Sequence, residues 1–156
     1  MYKKILVPHA GTDAGDEALK HAIHIAKSSS GKIALLHIVE EMSLPSMFAM
    51  ASSERDGIIK SIREANQSIR DDMEKAMQKR VEQCKKEGIK AKAETKIGDA
   101  SSIIIDYIKE NDTDLIVMAK RRKFKGMKKL LSLGSVSRKV VENVTIPTLL
   151  IDIENL

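Results

Sequence analysis

The 156 residues include 27 Lys and Arg against 22 Asp and Glu, a net charge of +5, with 42% hydrophobic and 31% charged residues. That length suits one domain with its own core, and this balance excludes bulk disorder and collagen. A lone cysteine, Cys84, excludes an intrachain disulfide framework. No apolar run approaches the ~18 residues of a spanning helix, and the start at Met1-Tyr2-Lys3-Lys4-Ile5 shows no signal-peptide core. The expectation is one domain over residues 1–156, in the cytoplasm, with no membrane contact.

Lys4-Ile5-Leu6-Val7-Pro8 reads as a short strand buried on both faces, as in a parallel sheet. Gly11-Thr12-Asp13 breaks it, with Thr12 or Asp13 placed to cap a helix on which Ala18, Leu19, Ala22, Ile23 and Ala26 recur. Lys32 to Val39 is a second strand. Glu40 to Ser53 has no period and is rich in Met, so it reads as an apolar loop, packed over the core edge or closing as a lid. Ile58 or Ile59, Ile62, Ala65, Ile69, Met73, Ala76 and Val81 mark a long amphipathic helix ending near Gly88. Lys90 to Ile97 alternates as a more exposed strand. A helix from Ala100 to Asn111, a strand at Leu115 to Ala119, a helix from Ser135 to Val144 and a strand from Pro147 to Ile153 complete the chain. Alternating strands and helices predict a parallel α/β sheet with right-handed crossovers. Ligands of such sheets bind beyond the carboxyl ends of the strands, where the strand order reverses.

The charge is concentrated. No acid occurs between Leu115 and Val141, a window that holds Lys120, Arg121, Arg122, Lys123, Lys125, Lys128, Lys129, Arg138 and Lys139. The rest of the chain then stands at 18 basic against 22 acidic residues. A mildly acidic body with one basic segment points to a local anionic partner or a solvated loop rather than a general nucleic-acid coat. Two Tyr and two Phe leave little for base stacking, so nucleic acid is not the expected partner.

Gly134-Ser135-Val136-Ser137 follows that segment. A Gly-Ser pair opening a helix offers free N–H groups, a hydroxyl and the positive dipole end, which suit phosphate oxygens; it equally suits an ordinary cap. His21 and His24 lie three apart on the first helix without further ligands at metal-site spacing, so they read as surface histidines. His9 lies at the carboxyl edge, and Cys84 reads as a small apolar residue. No nucleophile elbow, P-loop or dinucleotide fingerprint is present.

Lys4-Ile5-Leu6-Val7-Pro8, Leu36-His37-Ile38-Val39, Ile97-Gly98-Asp99-Ala100, Asp114-Leu115-Ile116-Val117-Met118, Leu133-Gly134-Ser135-Val136-Ser137 and Pro147-Thr148-Leu149-Leu150-Ile151, in that order, resemble a universal stress protein over essentially the whole chain. The resemblance implies a three-layer sandwich with a five-stranded parallel sheet of order 3-2-1-4-5, Rossmann-like and similar to the adenine-nucleotide alpha-hydrolases. It implies a homodimer through the last strand, here Thr148, Leu149, Leu150, Ile151, Asp152 and Ile153. One branch of the family binds ATP, with Mg, or AMP.

The nucleotide motifs carry over unevenly. The family's Asp two residues after the first-strand Pro is Ala10 here, whereas Ile38 suits the place beside the adenine. The phosphate loop keeps only its Gly-Ser end. Ala119 and Arg122 stand where glycines are expected, and eleven residues rather than nine precede Gly134. The candidate nucleotide-binding set is therefore Pro8, His9, Ala10, Ile38, Met118, Ala119, Arg122, Lys123, Gly134, Ser135 and Val136, with no catalytic or metal residues. Two readings stay open: a regulator that binds ATP or AMP without rapid turnover, at most a slow ATPase, or a non-binding interaction module that recruits an acidic protein through its basic loop.

Overall fold

The computed structural model describes residues 1–40, 51–120 and 134–152. In chain order they form β1 (Lys4–Pro8), α1 (Asp13–Ser29), β2 (Lys32–Val39), α2 (Ser52–Lys86), β3 (Ala91–Ile97), α3 (Ala100–Glu110), β4 (Leu115–Lys120), α4 (Ser135–Asn143) and β5 (Thr148–Asp152). Every strand pairing is parallel and the sheet order is β3-β2-β1-β4-β5, the order the resemblance implies. Residues 41–50 of the expected apolar loop, Arg122 and Lys123 of the basic segment, and Ile153 of the expected last strand lie outside the described residues.

Two cores sandwich the sheet. Ile5, Val7, Ile33, Leu35, Leu115 and Val117 face α1 and the end of α2, where Ala18, Leu19, Ala22, Val81 and Cys84 meet them. Leu6, Leu36, Ile116 and Met118 face α3 and α4, against Ile104, Tyr107, Ile108 and Val140. Because successive side chains alternate between faces that are both covered, β1, β2 and β4 read as unbroken apolar runs. The helix starts follow local chemistry: Thr12 Oγ1 accepts from the Gly15 N–H at 3.3 Å, and Asp99 accepts from the Ser102 N–H at 2.9 Å.

The long helix differs from its expected extent. It begins at Ser52 instead of Ile58, so the tail of the expected loop is helical. Its first turn is exposed and polar, which leaves no apolar period to announce it. Ile69, on the expected buried stripe, is 43% exposed, and the residues buried on α2 are Asn66, Met77, Val81 and Cys84. The cause is length. Thirty-five helical residues span about 52 Å, while the seven of β3 span about 23 Å. Only the carboxyl-terminal part of α2 can lie on the sheet.

Asp114 fastens the start of the central strands. Its carboxylate accepts from the backbone N–H groups of Lys3 at 2.7 Å and Lys4 at 3.1 Å, and its own N–H donates to the Lys4 carbonyl at 3.0 Å. Hydrogen bonds to a charged acceptor are each worth about 1.5–3 kcal/mol, so Asp114→Ala should lower unfolding stability by about 2 kcal/mol in urea denaturation. A midpoint equal to that of the parent chain would show that β1 and β4 register without this clasp.

Candidate functional site

After β1 the chain passes to α1 on one face of the sheet, and α4, which follows β4, lies on the other face. The neighbouring strands β1 and β4 thereby part at their carboxyl ends and leave a crevice. A cavity of about 390 Å³ occupies it. Its lining includes Pro8, His9, Ala10, Ile38, Met118, Ala119 and Val136, seven residues of the sequence-derived nucleotide set, brought together from β1, β2, β4 and α4. Gly134 and Ser135 precede Val136 at the start of α4 without lining the cavity, and Arg122 and Lys123 lie outside the described residues. The walls are largely apolar, with Thr12, Glu40 and Ser137 as the further polar lining groups.

His9 is scaffold for this cavity. It is only 2% exposed. The Gly11 N–H donates to its Nδ1 at 3.0 Å, so the ring proton sits on Nε2, 3.1 Å from Asp16 Oδ1. Arg80, from far along α2, grips the same carboxylate with two bonds, Nε to Oδ1 at 2.6 Å and Nη2 to Oδ2 at 2.8 Å. Its Nε also lies 3.0 Å from His9 Nε2, and its Nη1 donates to the Ala76 carbonyl. The His9 backbone is held as well: its carbonyl accepts from His37 Nδ1 at 2.8 Å, and its N–H donates to the Leu36 carbonyl at 3.0 Å. Gly15 makes room for the ring, since a Cβ there would come within 2.7 Å of His9 Cε1.

The electrostatics agree with this geometry. Burial, reinforced by the Arg80 charge, lowers the His9 pKa from 6.5 to about 4, so the ring is neutral at physiological pH. Partial burial of Asp16 acts to raise its pKa, yet the Arg80 hydrogen bonds and charge outweigh it and hold the carboxylate below its ordinary range. Neither ring nitrogen of His9 is left to act on a ligand. Cys84 is equally inert, buried with its thiol pushed up to about 11. His21 and His24 are exposed on α1, and no group of three or more His, Cys, Asp or Glu among the described residues could hold a metal ion.

The chain matches the universal stress protein family over residues 1–152. It is 30% identical to universal stress protein YxiE of Bacillus subtilis over 155 residues, covering 97% of this chain and 99% of that one. It belongs to the universal stress protein family. Among solved structures, UspA of Lactobacillus plantarum superposes with a TM-score of 0.76 at 22% identity, covering 96% of this chain and 97% of that one. Two further family structures were solved with nucleotides. One, in complex with cAMP, has a TM-score of 0.62 at 18% identity, with 97% of both chains covered. The other, from Archaeoglobus fulgidus in complex with dAMP, has a TM-score of 0.60 at 19% identity, covering 96% of this chain and 98% of that one. No helix among the described residues is long and apolar enough to cross a membrane.

Within this family frame, the start of α4 is the part of the cavity with unused polar capacity. Thr12 caps α1 and Asp99 caps α3, but Gly134 gives the nine-residue α4 no side-chain cap. Ser137, one turn in, is 4% exposed, lines the cavity, and has no side-chain hydrogen-bond partner among the described residues. A hydroxyl at the cavity wall beside uncapped N–H groups forms a donor set open to an acceptor in the cavity. Ser137 was absent from the sequence-derived set because an unpartnered hydroxyl is a tertiary property; only its place in Gly-Ser-Val-Ser hinted at it.

The His9 network sets the acid behaviour. Its folded pKa lies below the ordinary value, so its stabilisation is complete above about pH 6.5 and declines as the pH falls towards about 4. At about 1.4 kcal/mol per pKa unit the loss approaches about 3 kcal/mol. Thermal unfolding should therefore show a lower Tm at pH 4.5 than at pH 7, and His9→Gln should flatten that dependence. An equally steep profile in the variant would mean that other groups carry the acid sensitivity.

Proposed function

We propose that this universal stress protein is a cytoplasmic regulator that binds an adenine nucleotide, AMP or Mg-ATP, at the carboxyl-edge cavity and retains it without rapid turnover. The observation that carries the reading is the uncapped start of α4, with Ser137 one turn in, at a cavity lined by seven residues of the nucleotide set. The phosphate would sit against the N–H groups of Ser135 to Ser137, where the helix dipole favours negative charge. The base would lie between Ile38 and the other apolar walls. A volume of about 390 Å³ falls in the range of about 300–1,000 Å³ typical of small-molecule sites. Related structures that hold cAMP and dAMP support the same class of ligand.

The state of His9 supports retention without rapid turnover. The imidazole at the cavity is neutral and engaged on both nitrogens, so it is not available as a general base. Mg²⁺ would arrive with ATP and be held chiefly by its phosphates. Lys120, ion-paired with Asp152 at 3.6 Å, opens the basic segment next to this edge, and Arg122 and Lys123 would add positive charge.

Saturating Mg-ATP or AMP at about 100 times its Kd should add about 2.7 kcal/mol and raise Tm by several degrees. Gly134→Asp should abolish that shift without lowering the unliganded Tm, because an Asp at this position caps α4 and repels phosphate. A shift that survives in the variant would move the phosphate away from α4. Absence of a shift in the parent chain would favour the second reading, an interaction module recruiting an acidic protein, which Ala10 and the replaced glycines at Ala119 and Arg122 favour.

The same proposal includes a homodimer through β5. Among the described residues β5 is an edge strand paired with β4 alone, and Leu149 on it is 36% exposed. Pairing with its own copy would cover that edge and close a two-fold assembly. Leu149→Lys should convert dimers to monomers in light scattering while the circular dichroism spectrum stays unchanged. A dimer mass in that variant would place the interface elsewhere.

A further inference from the structure

The opposite, amino edge of the sheet carries a feature that core stability does not explain. Lys4 pairs with Lys32 across β1 and β2, and Ile33 pairs with Ala91 across β2 and β3, which sets Lys32 beside Lys90. The Ile33 N–H donates to the Lys90 carbonyl at 2.9 Å, so the ladder extends to that residue. Three lysines thus stand in a row at strand spacings of about 4.8 Å. All three occupy the same phase of the pleat as Leu6 and Ala34, the face that carries α3. Like charges side by side on neighbouring strands repel, and departures from local rules are found at functional or strained places.

The row borders a cavity of about 530 Å³, whose lining also includes Ala34, Lys92, Tyr107, Glu110 and Asp112. Ala34 supplies only a methyl group on the face where Leu36 fills the core two residues later, and Tyr107 forms the wall beneath the end of α3. The counter-charges at the cavity are already used. Asp112 binds Lys4 at 3.1 Å, Glu110 lies 3.9 Å from Lys96, and Lys92 is bonded to Glu94. Lys4 also donates to the Asn111 carbonyl at 3.1 Å. Lys32 and Lys90 are exposed and have no ion-pair partner among the described residues.

We infer that the amino-edge cavity is a second binding site, separate from the carboxyl-edge cavity, for a small polyvalent anion carrying two or more phosphate or carboxylate groups. Lys32 and Lys90 supply its uncommitted positive charge, and Lys4 and Lys92 flank them. Lysines on neighbouring strands can reach successive anionic groups of one ligand, and a partly enclosed hollow strengthens each contact over its value on open surface. The site does not depend on nucleotide binding at the other edge, because no residue lines both cavities.

The probe is inorganic tripolyphosphate, titrated at 0.15 M salt into the full chain by calorimetry and by amide NMR. Shift changes should cluster at Lys32, Ile33, Lys90 to Lys92 and Asn111 to Thr113. The double variant Lys32→Gln, Lys90→Gln should lose those changes and bind at least tenfold more weakly at this site. Any response at Ser135 to Ser137 should persist in the variant. Lys32→Arg should keep the amino-edge response, which separates lost charge from lost fold. Unchanged amino-edge affinity in the double variant, or shift changes confined to residues 119–139, would overturn the assignment.

Discussion

The buried imidazole of His9 is the point on which the carboxyl edge depends. Immediately after β1 the chain must turn out of the sheet, and a turn there exposes backbone groups that need partners. His9 supplies them in one residue: its ring takes the Gly11 N–H and reaches Asp16 on α1, and its carbonyl takes His37 of β2. Arg80 closes the arrangement from α2, so α1, α2 and β2 converge on one residue. The ring can stay neutral because burial removes water and Arg80 repels a second cation. Gly15 is the steric counterpart, a position where any side chain would strike the ring. The wall it forms beside the cavity is consequently fixed, and a preorganised wall loses little binding energy to ordering.

Much of this was legible in the residues. β1, β2 and β4 announce themselves because both faces of the sheet are covered, so their strands carry no polar alternation. Thr12 and Asp99 announce helix starts by cap chemistry, and the order of motifs announces the sheet order through the family. Six of the seven cavity residues sit at or just past strand ends and Val136 opens α4; the family resemblance and the Gly-Ser motif singled them out. Other features were not readable. The Asp16–Arg80 pairing joins residues 64 apart, and nothing in the spacing marks Arg80 among the many bases of α2. The first turn of α2 is polar on every side and so has no period. The state of the Ser137 hydroxyl depends on what surrounds it in three dimensions. The lysine row exists only once parallel register sets Lys4, Lys32 and Lys90 side by side.

The two edges of the sheet use charge differently. At the carboxyl edge the described lining is mostly apolar, and in the proposed reading the positive end of α4 would attract the anion, with the basic segment adjoining in sequence. At the amino edge formal charge does the work, on side chains that project from strand ends. The net charge of +5 comes from the window between Leu115 and Val141, while the amino-edge lysines belong to a remainder that stands at 18 basic against 22 acidic residues. The parallel arrangement itself separates them, since every strand begins at one edge and ends at the other.

The central claim is that α4 receives a phosphate in the carboxyl-edge cavity. A crystal structure of the chain grown with AMP tests it most directly. The account predicts one nucleotide in that cavity, with phosphate oxygens within hydrogen-bond distance of Ser137 Oγ and the N–H groups of Ser135 to Ser137, and His9 still bound to Asp16. A nucleotide lodged elsewhere, or a cavity that remains empty at saturating AMP while Ser137 finds a protein partner, would contradict it.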